Sequence, residues 1–288
     1  MQRPARSRVN RLKPSASALY GTRNSGEFME ATAIILAAGE GTRMKSNHAK
    51  VAHKILGKPM IEWVADAAIA AGCQRIIVVV GSHAQEVRDI IGASYASAAA
   101  SIECVEQAER LGTGHAVKVA LSACGISEGP VLNGDLPLIQ PETIQRFAET
   151  VATGKAAGAV LSMLPPDPFG YGRIVLDDAG SLIEIVEQKD CTPSQAAIQE
   201  CNAGCYAFDG ALLAAHIDEI NNDNAQGEYY LPDMVEILRG HGHATTIVHC
   251  EDYREGLGAN NRVQLAELAA LARDRINERL MLDGVTML

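Results

Sequence analysis

The chain has 288 residues, of which 47% are hydrophobic and 21% are charged, a composition that is typical of globular proteins and excludes a fibrous or low-complexity chain. Its formal net charge is −10, which argues against broad nucleic-acid binding because such binding needs an extended basic face. Apolar runs such as residues 76–80 are too short to cross a bilayer, so we expect no membrane association. The seven cysteines contain no C-x-x-C pair and indicate free thiols in a reducing cytoplasm.

Residues 1–28 differ from the rest of the chain in charge. They hold six Lys or Arg residues and one acidic residue, Glu27, with little apolar periodicity. An Arg-rich, acid-poor start also resembles a transit peptide, but we favour a disordered basic extension because no apolar stripe is present. We expect residues 29–288 to form one domain, since their number suits a single large α/β unit.

A glycine turn follows the first predicted strand. Residues 33–37 are an apolar run that ends near Gly39 and Gly41, as in a buried parallel strand leading into a tight turn. Glycines let backbone N–H groups approach an anion closely. Three cationic side chains follow: Arg43, Lys45 and Lys50. The combination indicates a polyphosphate site, although the third glycine of the dinucleotide fingerprint and the G-K-[ST] ending of a P-loop are missing; an unliganded turn is the alternative.

The next segments alternate between helix and strand. The pattern predicts a helix from Pro59, a strand over 74–81, a helix over 84–91, a strand over 102–105, a helix from about His115 and a strand over 130–133. Such alternation predicts parallel strands joined by right-handed crossovers. Ligands of open α/β sheets bind beyond the carboxyl ends of the strands, so Asp135 and the Gly39 turn should face one crevice.

Two polar residues at these strand ends each allow two interpretations. Gln107 carries a donor and an acceptor on one amide, which reading a base edge requires, but an exposed surface role is the alternative. Asp135 is a natural Mg²⁺ ligand because hard cations prefer carboxylate oxygen. The alternative for Asp135 is a turn cap before Pro137.

The second half of the chain changes character. Strand-like runs over 159–163, 173–176, 181–187 and 203–208 predict a mixed or antiparallel extension over the crevice. A helix over 232–238 and an amphipathic final helix follow, and we interpret the Gly-His-Gly-His stretch that contains His241 as a turn rather than a metal site. Asn260 and Asn261 precede the final helix, where an asparagine is first of all an N-cap.

Six motifs, taken in order, carry a family resemblance. They are L-A-A-G-E-G-T-R-M over 36–44 followed by Lys50, E-Q-A-E-R-L-G-T-G-H-A over 106–116, G-D-L-P-L over 134–138, G-Y-G-R-I over 170–174, N-A-Q-G-E-Y-Y-L-P-D over 224–233 and G-A-N-N-R-V-Q-L over 258–265. The set resembles the uridylyltransferase half of the bacterial bifunctional N-acetylglucosamine-1-phosphate uridylyltransferase/glucosamine-1-phosphate acetyltransferases. The similarity runs from about residue 31 to residue 288.

The resemblance implies a fold and an activity. The fold would be a Rossmann-like, mostly parallel α/β sheet flanked by helices, with a mixed β extension over the crevice, and residues 29–288 would be a single nucleotidyltransferase domain. The reaction would join UTP and N-acetylglucosamine 1-phosphate into UDP-N-acetylglucosamine and pyrophosphate. The alternatives are another sugar 1-phosphate or NTP, and a non-catalytic nucleotide-sugar-binding paralogue.

The resemblance also implies the site residues. Arg43, Lys50 and Asp135 would be catalytic, and Asp135 and Asn260 would hold the Mg²⁺ cofactor. Gln107, Gly112 and Thr113 would contact uracil, while Gly172, Glu187 and Asn202 would contact the sugar. The whole substrate-binding set would be Leu36, Ala37, Ala38, Gly39, Gly41, Thr42, Lys50, Gln107, Gly112, Thr113, Asn133, Gly134, Gly172, Glu187, Asn202 and Asn260.

Two departures from the family pattern are visible. The chain shows no hexapeptide β-helix repeats before residue 288, so we expect no acetyltransferase activity; whether a separate acetyltransferase chain is a partner is left open by the sequence. Asn133 stands where an aromatic residue is common in the family, which would alter the nucleotide pocket.

Overall fold

Short β-branched and alanine-rich runs form the strands of the central sheet. The computed structural model describes residues 31–125 and 129–287, so the predicted extension over 1–28 lies outside the described residues. The strands, in chain order, are β1 (Thr32–Ala37), β2 (Lys54–Ile55), β3 (Lys58–Pro59), β4 (Arg75–Val80), β5 (Ser101–Glu106), β6 (Gly129–Asn133), β7 (Gly158–Met163), β8 (Arg173–Leu176), β9 (Leu182–Val186), β10 (Cys201–Phe208) and β11 (Thr245–His249).

Helices connect most of these strands. They are α1 (Met60–Ala70), α2 (Ala84–Tyr95), α3 (Thr113–Cys124), α4 (Pro141–Ala152), α5 (Pro193–Ala196), α6 (Gly210–His216), α7 (Met234–Gly240) and α8 (Arg262–Leu282). Short 3-10 turns lie at Thr42–Met44, Lys50–Ala52, Ile217–Glu219, Leu231–Asp233 and Tyr253–Gly256. Within the described residues, no helix is both long and apolar enough to cross a membrane.

The central sheet is mostly parallel, as predicted. Its strand order is β11-β7-β10-β6-β1-β4-β5. β1 pairs in parallel with β4 and β6, β4 with β5, and β11 with β7. β10 is antiparallel to both of its neighbours, β6 and β7. The predicted fold class, an α/β sheet flanked by helices, is confirmed.

The predicted β extension is smaller than the sequence indicates. Two of its four strands, β7 and β10, belong to the central sheet, and only the antiparallel β8–β9 pair extends from it, through β8 and β10. All six residues of β7 are buried, because helices cover that part of the sheet on both faces. The hairpin β8–β9 alone therefore forms the projecting wall.

Successive side chains of the strands pack into two separate cores, one on each face of the sheet, because side chains alternate between the faces along a strand. Ile35 faces a core that includes residues of α1, α2 and α4, whereas Ile34 faces a core with residues of α3, α6 and α7. A third cluster packs α8 against α1 and β2 through Leu268, Trp63 and Ile55. The sheet is thus held rigidly from both faces, with its carboxyl edge left open.

Six of the described strands and helices were not predicted: β2, β3, α4, α5, α6 and β11. The signal for α4 was present, since Pro141 occupies its first turn and Ile144, Phe147 and Ala148 lie on its buried face. β11 is a short segment with only Thr245 buried, so its sequence alone gives little evidence of a place in the sheet.

Candidate active site

The open edge of the sheet contains one large crevice. Its volume is about 710 Å³, and β1, β6, β10 and the β8–β9 hairpin all contribute to its walls. The predicted site residues on these walls are Leu36, Ala37, Ala38, Gly39, Gly41, Thr42, Arg43, Lys50, Gln107, Gly112, Thr113, Asn133, Asp135, Gly172, Glu187, Asn202 and Asn260. Residues that are far apart in the sequence therefore meet at one place.

Gly134 lies beneath the crevice rather than on its wall. Its backbone N–H donates a hydrogen bond of 2.9 Å to the carbonyl oxygen of Leu36. A Cβ atom at this position would lie 2.9 Å from the same oxygen, closer than side-chain carbons normally approach. Gly134 thus allows the end of β6 to approach the end of β1, which positions Asp135 beside the glycine turn.

The glycine turn after β1 forms one end of the crevice. Gly41 has φ of 63°, in the left-handed region, and a Cβ atom there would lie 2.8 Å from Cβ of Lys50. Glycine is therefore required both by the backbone conformation and by the close approach of Lys50. The buried Met44 anchors the following 3-10 turn.

Arg43 is an exposed cation at the edge of the crevice. Between described residues it takes part in no ion pair, and it lines the crevice next to the glycine turn. By contrast, Arg110 forms an ion pair with Glu40 of the glycine turn. Both of these residues line the crevice, although sequence reasoning did not select them.

Lys50, Asp135 and Asn260 form the polar centre of the crevice. The Lys50 Nζ atom lies 2.5 Å from Asp135 Oδ2 and donates a hydrogen bond of 2.8 Å to Asn260 Oδ1. The side chains of Lys50 and Asp135 are each 17% exposed. Partial burial strengthens the attraction between these charges relative to a fully exposed pair.

The final helix explains why Asn260 can point into the crevice. Its neighbour Asn261 is the N-cap of α8 and accepts hydrogen bonds from the backbone N–H groups of Val263 and Gln264. The Asn260 backbone N–H donates to Gln264 Oε1 at 2.8 Å. Of the two adjacent asparagines, one therefore caps the helix, and the side chain of the other lines the crevice and accepts a hydrogen bond from Lys50.

The same oxygens suit a magnesium ion. Asp135 Oδ2 and Asn260 Oδ1 converge on a single cation, the Lys50 ammonium, and carboxylate and amide oxygens are ligands that Mg²⁺ accepts. Gly258 leaves space at this point, since a Cβ atom there would lie 3.1 Å from Asp135 Oδ2. The donor set thus fits a hard divalent cation that keeps most of its ligands from water and phosphate.

Gln107 follows β5, lines the crevice and is buried, with 4% exposure. Its side-chain Nε2 donates to the carbonyl oxygen of Gly112 at 3.0 Å and lies 3.0 Å from His115 Nδ1. The amide nitrogen is therefore committed to the protein. Its acceptor oxygen is the atom left to contact a ligand.

The loop before α3 is fixed by an extended segment from the second half of the chain. Gly112 has φ of 110°, and a Cβ atom there would lie 2.5 Å from the carbonyl oxygen of Tyr229. The Gly114 N–H donates to that oxygen at 2.8 Å, and the Leu231 N–H donates to Thr113 Oγ1 at 3.0 Å. Gly112 therefore shapes this side of the crevice through close backbone packing, and Thr113 does so through its side-chain hydroxyl.

Asn202 lies on the wall formed by β10. Its Nδ2 donates to the Tyr206 hydroxyl at 2.6 Å, and its Oδ1 accepts from the Gly204 N–H at 2.8 Å. These contacts stabilise an irregularity in the pairing of β10 with β7 between Asn202 and Tyr206. A Cβ atom at Gly204 would lie 2.3 Å from Asn133 Nδ2, so Asn133 packs directly under this bulge.

Glu187 faces the crevice just after β9. Burial raises the pKa of its carboxyl group, and the nearby charges of Asp190 and Glu228 raise this pKa further. Gly172 lies against it, since a Cβ atom there would lie 3.2 Å from Glu187 Oε1. This partly buried carboxyl group faces the crevice and can accept hydrogen bonds from ligand hydroxyl groups.

Tyr230 lines the crevice, although it is not among the predicted site residues. Its hydroxyl accepts a hydrogen bond from Gln226 Nε2 at 2.7 Å. Tyr229 does pack in the core, beside α3 and α7. The motif over 224–233 was the available signal, because two adjacent residues of an extended segment point to opposite sides.

A parallel sheet with a glycine turn, a cationic centre and convergent oxygens at its carboxyl edge defines a class of nucleotide-handling transferases. Residues 33–190, more than half of the chain, match the MobA-like NTP transferase domain. The chain belongs to this family and is a nucleotidyltransferase.

Similar proteins extend the match over most of the chain. Bifunctional protein GlmU of Solibacter usitatus is 44% identical over 260 residues, which cover 89% of this chain and 54% of the relative. GlmU of Lactobacillus delbrueckii subsp. bulgaricus is 44% identical over 263 residues, covering 90% and 55%. GlmU of Bacillus cereus is 42% identical over 258 residues, covering 89% and 55%. The resemblance inferred from the motifs is confirmed, and the chain spans about half the length of these curated relatives.

A solved structure supports the fold. UDP-glucose pyrophosphorylase complexed with UDP-glucose superposes with a TM-score of 0.70 at 18% identity, covering 86% of this chain and 100% of that one. At this identity the likeness concerns the fold, and the site must be argued from the residues themselves.

Proposed function

We propose that the chain transfers a uridylyl group from UTP to N-acetylglucosamine 1-phosphate, giving UDP-N-acetylglucosamine and pyrophosphate. The observation that carries this proposal is the convergence of Lys50, Asp135 and Asn260 beside the glycine turn. A phosphate oxygen of the sugar attacks the α-phosphorus of UTP in line, and pyrophosphate leaves. The attacking group is already an anion, so no nucleophilic side chain is needed.

The protein contributes position and charge. Backbone N–H groups of the turn from Gly39 to Thr42 face the triphosphate, and Arg43 and Lys50 neutralise charge that develops on the α-phosphate and on pyrophosphate. A magnesium ion held by Asp135 and Asn260 would supply Lewis-acid neutralisation of the phosphate oxygens when bound. The Lys50 ammonium contacts both of these oxygens and holds their side chains close together.

The base side favours uracil. Because the Gln107 nitrogen is committed to Gly112 and His115, its oxygen can accept a hydrogen bond from the N3–H group of uracil. Cytosine presents an acceptor at that position, which leaves two acceptors facing each other. The sugar side offers Glu187 and Asn202 to hydroxyl and amide groups of the acetylated sugar.

Pyrophosphate release tests the proposal directly. The purified chain is assayed with Mg²⁺, each of the common NTPs and a panel of sugar 1-phosphates that includes N-acetylglucosamine 1-phosphate. Selective turnover of UTP with that sugar is expected. Turnover of a different pair would keep the mechanism and replace the substrates, whereas ligand binding without any turnover would favour the non-catalytic paralogue.

A further inference from the structure

Two histidines and a glutamate meet on the surface, outside the crevice. His216 is the last residue of α6, Glu219 lies in the 3-10 turn that follows, and His241 comes directly after α7. The helices α6 and α7 pack together through the core that contains Leu213 and Leu238. The fold therefore brings the carboxyl ends of two helices to one point.

The side chains converge closely. His216 Nδ1 lies 2.6 Å from Glu219 Oε1, and His241 Nε2 lies 2.9 Å from Glu219 Oε2. The two imidazole rings have their centroids 4.0 Å apart and are tilted by 32°. One potential ligand atom from each residue lies within 4.8 Å of the others, so a small rotation of these surface side chains brings all three within reach of a single metal ion.

We propose that His216, Glu219 and His241 bind a divalent transition-metal ion, with Zn²⁺ as the preferred ion. Two imidazole nitrogens and one carboxylate oxygen form a three-residue donor set that leaves a fourth position for water. Nitrogen ligands favour Zn²⁺, Cu²⁺ or Ni²⁺ over Mg²⁺. The chemistry of this surface site thus differs from that of the all-oxygen pair in the crevice, and the proposal does not depend on the proposed function.

The open side of the cluster leads to a second cavity. This cavity has a volume of about 620 Å³, and Glu219 and His241 lie on its wall. Six further carboxylates share the wall: Glu184, Glu187, Asp190, Asp223, Asp233 and Glu236. Such a concentration of negative charge raises the local cation concentration and gives space for a water ligand.

Metal binding would also link two parts of the fold. The segment before α7 supplies Tyr230 and Pro232 to both the crevice and the second cavity. A metal held by His216 and His241 would fasten the end of α6 to the end of α7, which carries this segment. Zn²⁺ is therefore expected to raise the midpoint of thermal unfolding, because it binds the folded chain in preference to the unfolded one.

Titration of the purified metal-free chain tests the site. Zn²⁺ is added in competition with a chromophoric chelator, with Mg²⁺ in a parallel titration, and Co²⁺ is added separately for its visible absorption. One Zn²⁺ per chain and a rise in the unfolding midpoint are expected, without an equivalent effect of Mg²⁺. The variants His216→Ala and His241→Ala should lose this equivalent, whereas the matched control His243→Ala should retain it.

Two results would overturn the proposal. One is a double variant, His216→Ala with His241→Ala, that binds Zn²⁺ with the stoichiometry and affinity of the unaltered chain. The other is a Co²⁺ spectrum with thiolate charge-transfer bands, which would assign the ion to cysteines. His241 is exposed, so His241→Asn provides a ligand deletion without disturbing the core if His216→Ala fails to fold.

Discussion

At the scale of single residues, replacing Asp135 is expected to have the largest effect on the rate of the proposed reaction. Replacing Asp135 by Asn keeps the shape of the side chain but removes its charge, so both the contact with Lys50 and the proposed magnesium ligand are weakened. Pyrophosphate release should fall by about 10²-fold or more, as for the loss of one transition-state stabilising group, while the thermal midpoint changes little. Asp178→Asn, on an exposed turn, is the control. A near-normal rate for Asp135→Asn would remove Asp135 from the mechanism.

The close approach of the Tyr229 backbone to Gly112 leads to a prediction about the stability of the fold. An alanine there must adopt positive φ and must also move the Tyr229 backbone, since the added carbon would lie 2.5 Å from its carbonyl oxygen. Gly180 also has positive φ, 81°, but has no atom within 4 Å of that position. Gly180→Ala should cost about 1–2 kcal/mol of unfolding free energy from the backbone conformation alone. Gly112→Ala should lower the unfolding free energy, measured by urea unfolding, by clearly more than Gly180→Ala does. Equal losses for the two variants would show that the Tyr229 backbone moves aside without cost.

The raised pKa of Asp233 leads to a prediction about how the unfolding free energy depends on pH. Burial, followed by the charges of Glu236, Glu187 and Asp190, raises the pKa of its carboxyl group from 3.8 to about 6. The folded chain thus holds this proton more tightly than the unfolded chain, so the contribution of Asp233 to stability is greatest below pH 3.8 and declines as the pH rises to about 6. Asp233→Asn should remove this part of the pH dependence of the unfolding free energy. An unchanged profile would contradict the burial of this carboxyl group.

At the scale of secondary-structure elements, the start of α8 joins stability to the site. Asn261→Ala removes the acceptor of two backbone N–H groups and should cost about 1 kcal/mol of unfolding free energy. Asn261→Ser restores the cap and should recover most of that stability. Because the adjacent Asn260 contacts Lys50, pyrophosphate release should fall in Asn261→Ala and recover in Asn261→Ser. Loss of stability without any change in rate would separate the cap from the site.

The same elements show what sequence patterns can and cannot predict. The strands β1, β4 and β6 and the helices α1 and α2 were found because their apolar periodicity is strong and their ends carry glycine or proline. The sequence does not reveal which of two adjacent asparagines caps α8, since Asn260 and Asn261 are the same residue type and both stand where a helix cap is expected. Nor does it reveal that Gln107 Nε2 donates a hydrogen bond to the Gly112 carbonyl oxygen, because that contact depends on the conformation of the loop before α3.

At the scale of the whole molecule, ligand binding should stabilise the folded chain. Residues from both the parallel half and the antiparallel half of the sheet line the crevice. A nucleotide bound there is therefore expected to oppose unfolding of the whole domain. UTP with Mg²⁺ at 100 times its dissociation constant should add about 2.7 kcal/mol to the unfolding free energy. Differential scanning calorimetry of the unaltered chain and of Lys50→Met measures this difference, which should be smaller in the variant. An equal shift in both would place the nucleotide away from Lys50.

The arrangement of the sheet was the least predictable part of the fold. Alternating strands and helices correctly indicated a parallel half, but the insertion of β10 between β6 and β7 is decided by pairings between distant segments. The all-buried β7 reads as a short apolar run that could sit in several positions of a sheet. The site residues were named from the family motifs. Tyr230 and Arg110 also lie within two of those motifs, but only the tertiary fold shows that they line the crevice.

The order in which the crevice is assembled has a consequence for synthesis on the ribosome. Lys50 and Asn260 are separated by 210 positions in the chain, and β6 has its antiparallel partner only when residues 201–208 are available. At ~5–20 residues per second, roughly ten seconds pass between the emergence of Asp135 and that of Asn260. A nascent chain therefore presents the glycine turn and an open edge of β6 well before it can complete the polar centre, and that edge is a surface for folding factors to shield.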